Sequence, residues 1–274
     1  MALMRAKLGA VELEHEAVGA GPPVLLIHGG VFADWFEPLM AEPALENFRR
    51  VRYRRAGYGT GLSDAALGIG DQAAHARALL EHLGIEQAHV VGHSSGGSIA
   101  LQLARDAPHR VRSLALLEPV LTQVPSGPGV AEALQRYMSG DSQGAVDQFL
   151  CGVCGRDYAV LVARALPHAL ADARRDTPTF FGRELPALRQ WAFAAEDAAR
   201  LAQPILAVLG ENSDAVRRGS EGGGSAVFAE RQRLLLRWFP HATAHVLPNV
   251  THLMLLEDPG SIARRLAEFF SSLQ

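Results

Sequence analysis

One five-residue segment of the 274-residue sequence has the residue types and spacing of a serine nucleophile. Residues Gly92–Gly96 read G-H-S-S-G, which fits the pattern G-x-S-x-G with Ser94 at its centre. The segment lies between a predicted strand that ends at Val91 and a predicted helix that starts at Ser95. Only small residues allow so sharp a turn from strand to helix, and the turn exposes the serine hydroxyl at the helix N-terminus. Ser94 is therefore the candidate nucleophile, with a buried turn serine as the alternative.

A serine nucleophile needs a general base, and one of the eleven histidines has a suitable position in the chain. His252 follows the last predicted strand, Thr243–Leu247, and precedes the last predicted helix, Ser261–Phe270. That position puts it at the C-terminal edge of the predicted sheet, where the nucleophile turn also opens. We expect His252 to be the base, whereas His93 and His28 are expected to be structural.

Apolar runs bounded by turn residues alternate with segments of helical period along most of the chain, which is typical of a parallel sheet with crossover helices. The predicted strands are Val11–Ala17, as an edge strand, and Pro23–Ile27, Arg49–Tyr53, Ala88–Val91, Val111–Leu117, Pro204–Leu209 and Thr243–Leu247. The predicted helices are Asp71–Leu83, with Ala74, Ala78 and Leu79 near one face, Ser95–Asp106 and Ser261–Phe270. The sequence thus predicts an α/β fold, a mostly parallel sheet with helices on both faces.

The strand rhythm stops after the predicted strand that ends near Leu117, and the sequence becomes helical and irregular, with several prolines. We expect a helical cap at residues 120–201, inserted between two core segments, residues 1–119 and residues 202–274. The cap segment is rich in aromatic residues. Most of them are expected to fill the cap's own small core, and two or three to line a pocket.

Four landmarks resemble those of the α/β-hydrolase superfamily, in the family's order and over nearly the whole chain. They are His28–Gly30 after a buried strand, the loop Arg54–Asp64, the turn around Ser94, and Asn249–His252 after the final strand. The resemblance implies that His252 is the catalytic histidine. It also implies an oxyanion hole built from the backbone amide of Ser95 and that of Gly30 or Val31. The loop Arg54–Asp64 is similar to the family's Arg-Gly-x-Gly-x-Ser loop, and no catalytic role is expected for it.

The acid that orients the histidine has two candidates. Members of the superfamily commonly carry an aspartate after the strand that follows the cap. Asp214 lies in that region, although the spacing puts Ser213 at the expected position. A second family arrangement has the acid after the strand that follows the nucleophile helix, where Glu118 lies. An acid beneath the cap hinge is well placed to reach His252, so Glu118 is preferred and Asp214 is kept as the alternative.

Composition argues against several classes of partner and cofactor. A net charge of −3 with scattered arginines gives no basic surface for nucleic acid, and no apolar run reaches the roughly 20 residues needed to cross a bilayer. The N-terminus shows no apolar export signal, so we expect a cytoplasmic monomer or homodimer. Cys151 and Cys154 form a C-x-x-C pair outside the usual context of redox or zinc sites, and two reduced thiols are expected. No metal or organic cofactor is expected.

The candidate residues predict acyl transfer through a covalent intermediate on Ser94. The apolar, aromatic cap favours a small hydrophobic ester, thioester or lactone as substrate. Carbon–carbon bond hydrolysis or lyase chemistry with the same triad is one alternative, and a ligand-binding protein with vestigial turnover is another. The glycine-rich segment Arg217–Ala226 is interpreted as a surface loop, because it lacks the strand-to-helix context of a phosphate-binding loop.

Overall fold

Eight strands form one sheet, at whose C-terminal edge the candidate residues lie. The computed structural model describes residues 3–59, 67–218 and 226–273. Residues 60–66, in the loop that starts at Arg54, and residues 219–225, in the predicted glycine-rich loop, lie outside the described residues. The strands are β1 (Met4–Leu8), β2 (Val11–Val18), β3 (Pro23–Ile27), β4 (Arg49–Tyr53), β5 (Ala88–His93), β6 (Val111–Leu117), β7 (Ile205–Gly210) and β8 (Thr243–Leu247).

The order of the strands across the sheet is β1-β2-β4-β3-β5-β6-β7-β8. Strands β3 to β8 run parallel to one another, and the β1–β2 and β2–β4 pairs are antiparallel. Side chains of β3 alternate between two apolar cores, because Leu25 and Ile27 face one core and Val24 and Leu26 face the other. Both faces are therefore covered, as the apolar run of β3 predicts, and the fold is α/β with a mostly parallel sheet.

Fourteen α-helices connect and cover the strands in the part of the chain that the structure describes. They are α1 (Glu37–Met40), α2 (Ile69–His82), α3 (Ser95–Asp106), α4 (Pro128–Met138), α5 (Ser142–Cys154), α6 (Tyr158–Ala165), α7 (Ala169–Arg175), α8 (Thr177–Thr179), α9 (Leu185–Gln190), α10 (Ala195–Ala198), α11 (Ser213–Arg218), α12 (Val227–Trp238), α13 (Met254–Glu257) and α14 (Pro259–Ser271). Short 3₁₀ turns lie at Pro43–Leu45 and Pro108–Arg110, and Phe180–Glu184 forms a π-helix. None of the described helices is both long and apolar enough to span a bilayer.

The N-terminal edge of the sheet differs from the prediction. Residues 11–17 were expected to form an edge strand, but β2 pairs with β1 on one side and β4 on the other. Strand β1 is the true edge, and it joins β2 through Gly9 and Ala10 as a tight hairpin. The five residues of β1 form a weak pattern by themselves, and their pairing with β2 supplies the ladder of hydrogen bonds that makes them a strand.

Between β6 and β7 the chain is helical, with α4 to α10 and the π-helix in sequence. The aromatic residues of this segment divide into two groups. Phe180 and Phe181 are buried in the apolar core that contains Tyr158. Trp191 and Phe193 instead pack in the core on the α3 side of the sheet, and the Trp191 indole Nε1–H donates to the Gln102 side-chain oxygen at 2.7 Å. Part of the segment thus anchors to the sheet and does not fill a core of its own.

Candidate active site

Ser94 lies at a sharp turn between β5 and α3. Its φ and ψ are 53° and −122°, a conformation that side-chain sterics disfavour outside glycine. The turn brings backbone segments very close together, since a Cβ on Gly96 would lie 2.1 Å from the Ile27 carbonyl oxygen. A Cβ on Gly92 would lie 2.5 Å from the Gly96 carbonyl oxygen. The two glycines of the G-x-S-x-G pattern are therefore sterically required here.

His252 lies in the loop between β8 and α13, and its ring is fixed on both sides. The Phe228 ring stacks on the imidazole with centroids 4.6 Å apart, and the His93 ring lies 4.5 Å away on a tilted plane. Thr251 anchors the loop, because its backbone N–H donates to the Glu257 carboxylate at 2.7 Å. These contacts leave the ring little rotational freedom.

His93, the residue before Ser94, contacts the loop that carries His252. Its Nε2–H donates to the His252 carbonyl oxygen at 3.1 Å, and its ring packs against Trp35 at 4.8 Å. Burial, and then the nearby His252, hold the pKa of His93 well below its usual range. His93 thus contacts the His252 loop, and its structural role stays a prediction.

Glu118 follows β6 and points at His252. Its carboxylate Oε2 lies 2.5 Å from Nδ1 of His252, and Oε1 accepts the Gly210 N–H at 2.8 Å. The residue has a φ of 48°, and its backbone N–H donates to the Val208 carbonyl at 3.1 Å. The turn at the strand end thus aims the carboxylate across β7 toward the histidine.

Burial raises the pKa of Glu118 to about 8, against the opposing effects of the Ser213 hydroxyl and the Gly210 N–H. Ser213 lies at the position where the family resemblance would put an aspartate, and its side chain is buried near the Glu118 carboxylate.

Asp214, the alternative acid, has a different contact. Its two carboxylate oxygens accept the backbone N–H groups of Phe228 and Ala229, at 3.0 and 2.9 Å. Both amides lie in the first turn of α12, where backbone N–H groups have no partner within their own helix. Asp214 therefore caps the helix that carries Phe228, and Glu118 is the carboxylate at His252.

The two candidate amides on the loop after β3 differ in their surroundings. Gly30 lines a cavity that Ser94, Ser95 and His252 also line. The Val31 backbone N–H instead lies against the Tyr58 hydroxyl. Burial raises the pKa of Tyr58, and this N–H acts in the opposite direction. The Gly30 carbonyl accepts the Phe32 N–H at 2.8 Å and the Trp35 indole N–H at 2.9 Å, and this fixes the loop.

A cavity of about 480 Å³ opens above the serine and histidine. The segment between β6 and β7 supplies most of its apolar lining, which includes Val130, Ala131, Leu134, Phe149, Leu150, Val153, Cys154, Phe180, Leu185 and Leu188. Phe149 and Phe180 are the aromatic residues of this segment that line the cavity, in line with the two or three expected from the sequence. Polar groups at the cavity come from Thr122, Ser126, Arg189 and Arg231.

The sequence and the fold are similar to those of known proteins. Residues 22–171, more than half of the 274, match the family described as the alpha/beta hydrolase fold. The chain belongs to the α/β hydrolase family. A solved structure of a hydrolase with the same fold agrees. The 2-hydroxy-6-oxo-6-phenylhexa-2,4-dienoate hydrolase of Rhodococcus sp. strain RHA1 superimposes with a TM-score of 0.78 at 23% identity, over 98% of each chain.

Curated relatives of this α/β hydrolase are named for several different activities. It is 29% identical over 258 residues to the dihydrolipoyllysine-residue acetyltransferase component of the acetoin cleaving system of Pseudomonas putida, covering 91% of this chain and 63% of that protein. The chain thus spans less than two thirds of that relative's length. It is 27% identical over 260 residues to the pimeloyl-(acyl-carrier protein) methyl ester esterase of Pectobacterium carotovorum, covering 92% and 95% of the two chains.

A further relative is named as the hydrolase of a dienoate. The 2-hydroxy-6-oxo-2,4-heptadienoate hydrolase of Pseudomonas putida is 36% identical over 118 residues, covering 41% of this chain and 42% of that protein. Relatives of this α/β hydrolase are therefore named both as a methyl ester esterase and as a dienoate hydrolase.

Several residues of this α/β hydrolase's site escape a reading of the sequence alone. Phe228 lies on α12, a helix that the sequence pattern did not single out, and Arg231 follows one turn later. Glu184 and Arg55 form a buried ion pair close to the nucleophile turn, 129 residues apart in the chain. The sequence offers only weak signals for these residues, such as an aromatic residue at a helix start or a charged residue among apolar neighbours. Neither signal shows which distant residue is the partner.

The described residues give less support to metal-dependent or cysteine-based chemistry. Within residues 3–59, 67–218 and 226–273, no three His, Cys, Asp or Glu side chains converge as a metal site. Cys151 is half-buried and Cys154 is buried, both are free thiols, and burial raises the pKa of Cys151. A less acidic thiol is a weaker nucleophile at neutral pH, so Ser94 is the better candidate for covalent chemistry.

Proposed function

We propose that the protein is a serine hydrolase that cleaves a small hydrophobic carboxylic ester, thioester or lactone through an acyl-enzyme on Ser94. The observation that carries the proposal is the contact of 2.5 Å between His252 Nδ1 and Glu118 Oε2, together with a strained Ser94 that lines the same cavity as His252. A carboxylate at Nδ1 holds the histidine proton there, so the lone pair of Nε2 is the one that accepts the serine proton.

In the proposed mechanism, His252 Nε2 removes the Ser94 proton while the serine oxygen attacks the substrate carbonyl carbon. The oxyanion that forms is stabilised by the Ser95 amide, at the N-terminus of α3, and by the Gly30 amide, with the Val31 amide as the alternative. The bond to the alcohol or thiol then breaks as His252 returns the proton to the leaving group. Water, deprotonated by His252, attacks the acyl carbon and releases the acid and the free serine.

The substrate class is inferred from the lining of the cavity. Its apolar walls favour an aliphatic or aromatic acyl or leaving group, since burial of apolar surface contributes about 0.8 kcal/mol per methylene. The segment of residues 120–201 supplies most of these walls, and we propose that it acts as a cap over the site. The relative named as a methyl ester esterase supports ester cleavage.

Carbon–carbon bond hydrolysis is the second candidate, favoured by the 36% identity to the heptadienoate hydrolase over 118 residues. Both reactions use a serine and histidine at a carbonyl carbon, and only the bond that breaks differs. The substrate must therefore decide between them.

The test is a panel of substrates with the purified protein. We expect kcat/KM to rise across p-nitrophenyl esters from acetyl to hexanoyl, by about fourfold per methylene until the cavity is full. A thioester, a γ-lactone and a 2-hydroxy-6-oxo-dienoate complete the panel. Turnover of the dienoate far above every ester would favour the second candidate, and a profile that collapses at butyryl would contradict an apolar acyl pocket.

The pH dependence of kcat/KM is a further expected result. With the pKa of Glu118 raised to about 8 by burial, the Glu118–His252 pair holds one more proton below that pH. A protonated Glu118 carboxyl group has no negative charge to stabilise the imidazolium that forms when His252 takes the serine proton, so activity is lost below this pH and present above it. We expect kcat/KM to rise with pH and to level off above about 8, and in Glu118→Gln the limb should move to lower pH. An unmoved limb in that variant would show that another group titrates.

A further inference from the structure

A buried ion pair lies directly beneath the candidate oxyanion hole. Arg55 is fully buried and Glu184 nearly so, and one guanidinium nitrogen of Arg55 donates to both oxygens of Glu184 at 3.0 and 2.9 Å. Burial alone would lower the pKa of Arg55, but the Glu184 carboxylate raises it. A buried ion pair carries a large desolvation cost, and replacing it with apolar residues is often neutral or stabilising. Stability alone is therefore a weak explanation for this pair.

Glu184 also accepts hydrogen bonds from two hydroxyl groups. Ser95 Oγ donates to Glu184 Oε1 at 2.5 Å, and the Tyr58 hydroxyl donates to Glu184 Oε2. Ser95 is the residue after the nucleophile, and its amide is one of the proposed oxyanion donors. The carboxylate thus contacts the first turn of α3 through the side chain of Ser95, whose backbone N–H is a proposed oxyanion donor.

The same cluster holds the opposite wall of the site. The Val31 amide lies against the Tyr58 hydroxyl, beside Gly30. The Arg55 nitrogen that contacts Glu184 also donates to the Gly29 carbonyl at 3.0 Å. One carboxylate is therefore connected to both sides of the oxyanion hole, through Ser95 on one side and through Tyr58 and Arg55 on the other.

The π-helix that carries Glu184 contacts the loop at its other end as well. Phe180 lines the cavity, and its ring packs so closely on Gly30 that a Cβ there would lie 2.3 Å from a ring carbon. Glu184 itself does not line the cavity, so it does not touch a bound substrate. Its effect on the reaction must pass through the groups that it holds.

We propose that Glu184 is a positioning residue that fixes the Ser95 and Gly30 amides relative to each other, so that both donate to one oxyanion. The inference rests on the proposed hydrolase function. It links Glu184, in the segment between β6 and β7, to the amides that would bind the oxyanion. A misplaced donor weakens binding of the transition state and leaves binding of the substrate largely unchanged.

The test compares Glu184→Gln with a matched control, Glu16→Gln. Glu16 is also a nearly buried carboxylate paired with an arginine, Arg52, at 2.7 Å, but it does not line the cavity or contact the nucleophile turn. Two quantities are measured for folded protein. One is kcat and KM for the best ester, and the other is the inhibition constant of an alkyl boronic acid, whose tetrahedral adduct has an oxygen in the oxyanion hole.

In Glu184→Gln we expect kcat to fall by about 10²-fold, the effect of losing one oxyanion donor, with KM within about threefold of the wild-type value. Boronate affinity should fall by a similar factor. Glu16→Gln should keep kcat and boronate affinity within about twofold, whatever its melting temperature. Unchanged kcat and boronate affinity in Glu184→Gln, or equal losses in Glu16→Gln, would overturn the inference.

Tyr58→Phe is a second variant, which tests the inference if Glu184→Gln does not fold. It removes one hydroxyl between Glu184 and the Val31 amide without changing any charge, and we expect kcat to fall by about tenfold at unchanged KM. Wild-type kcat in this variant would overturn the inference. A wild-type protein that neither hydrolyses the ester panel nor binds the boronate would instead refute the proposed function itself.

Discussion

Ser94→Ala is expected to reduce ester turnover by about 10⁶-fold, to near the background of the assay. The alanine has no hydroxyl to form the acyl-enzyme, and neither His252 nor the oxyanion amides can replace that bond. KM for any residual activity should change little, because the cavity keeps its shape. The measurement is steady-state hydrolysis of the best ester from the panel.

Ser113→Ala is the matched control for this variant. Ser113 is fully buried on β6 and bonds to His89 at 2.7 Å, on a part of the strand that does not line the cavity. It undergoes the same chemical change and should retain kcat within about twofold, even if its melting temperature falls. Residual turnover above about one per cent of wild type in Ser94→Ala would show that another group is the nucleophile.

Glu118→Gln is expected to reduce kcat by about 10⁴-fold, the effect that an amide has at this position in a well-studied serine protease. The amide keeps the size of the side chain, but its N–H can face Nδ1 of His252 and favour the tautomer with a proton on Nε2. That tautomer cannot accept the serine proton. The measurement is kcat for a substrate whose release of the leaving group is fast.

Asp214→Asn is the comparison that separates the two acids. Because Asp214 caps α12 and does not contact His252 in the described part of the chain, we expect kcat to stay within about tenfold of wild type. The variant should lose about 1 kcal/mol of stability as the cap weakens. Both variants are first checked by thermal unfolding. The reverse order of kcat values would assign the acid to Asp214 and remove Glu118 from the mechanism.

Much of the framework could be predicted from the sequence because it depends on local patterns. Strands β3, β4, β6 and β8 and helix α3 have the predicted bounds, since each is an apolar run or a helical segment between turn residues. The face of α2 was predicted only in part, because Leu79 is buried as expected but the alanines of the predicted face are not. Gln72, Ala73 and Ala76 are buried, whereas Ala74 is exposed. Small residues such as alanine fit either face, so their pattern does not define one.

The partners of the catalytic candidates could be only partly predicted. Glu118 was preferred over Asp214 from its place after β6, and the structure has it in contact with His252, 134 residues away. The roles of Phe228 and Glu184 depend on contacts between segments far apart in sequence, which local periodicity does not encode. The loop that begins at Arg54 was expected to have no part in the chemistry, yet Arg55 and Tyr58 contact Glu184. Their proposed role is positional.

The central claim is that Ser94, activated by His252, is the nucleophile, and the position of a covalent adduct tests it most directly. A fluorophosphonate reacts with an activated serine and stays attached, so the modified residue can be identified by peptide mass spectrometry. We expect one adduct per chain, on Ser94, which forms much more slowly in His252→Gln and not at all in Ser94→Ala. An adduct on any other residue, or wild-type labelling of Ser94→Ala, would contradict the claim.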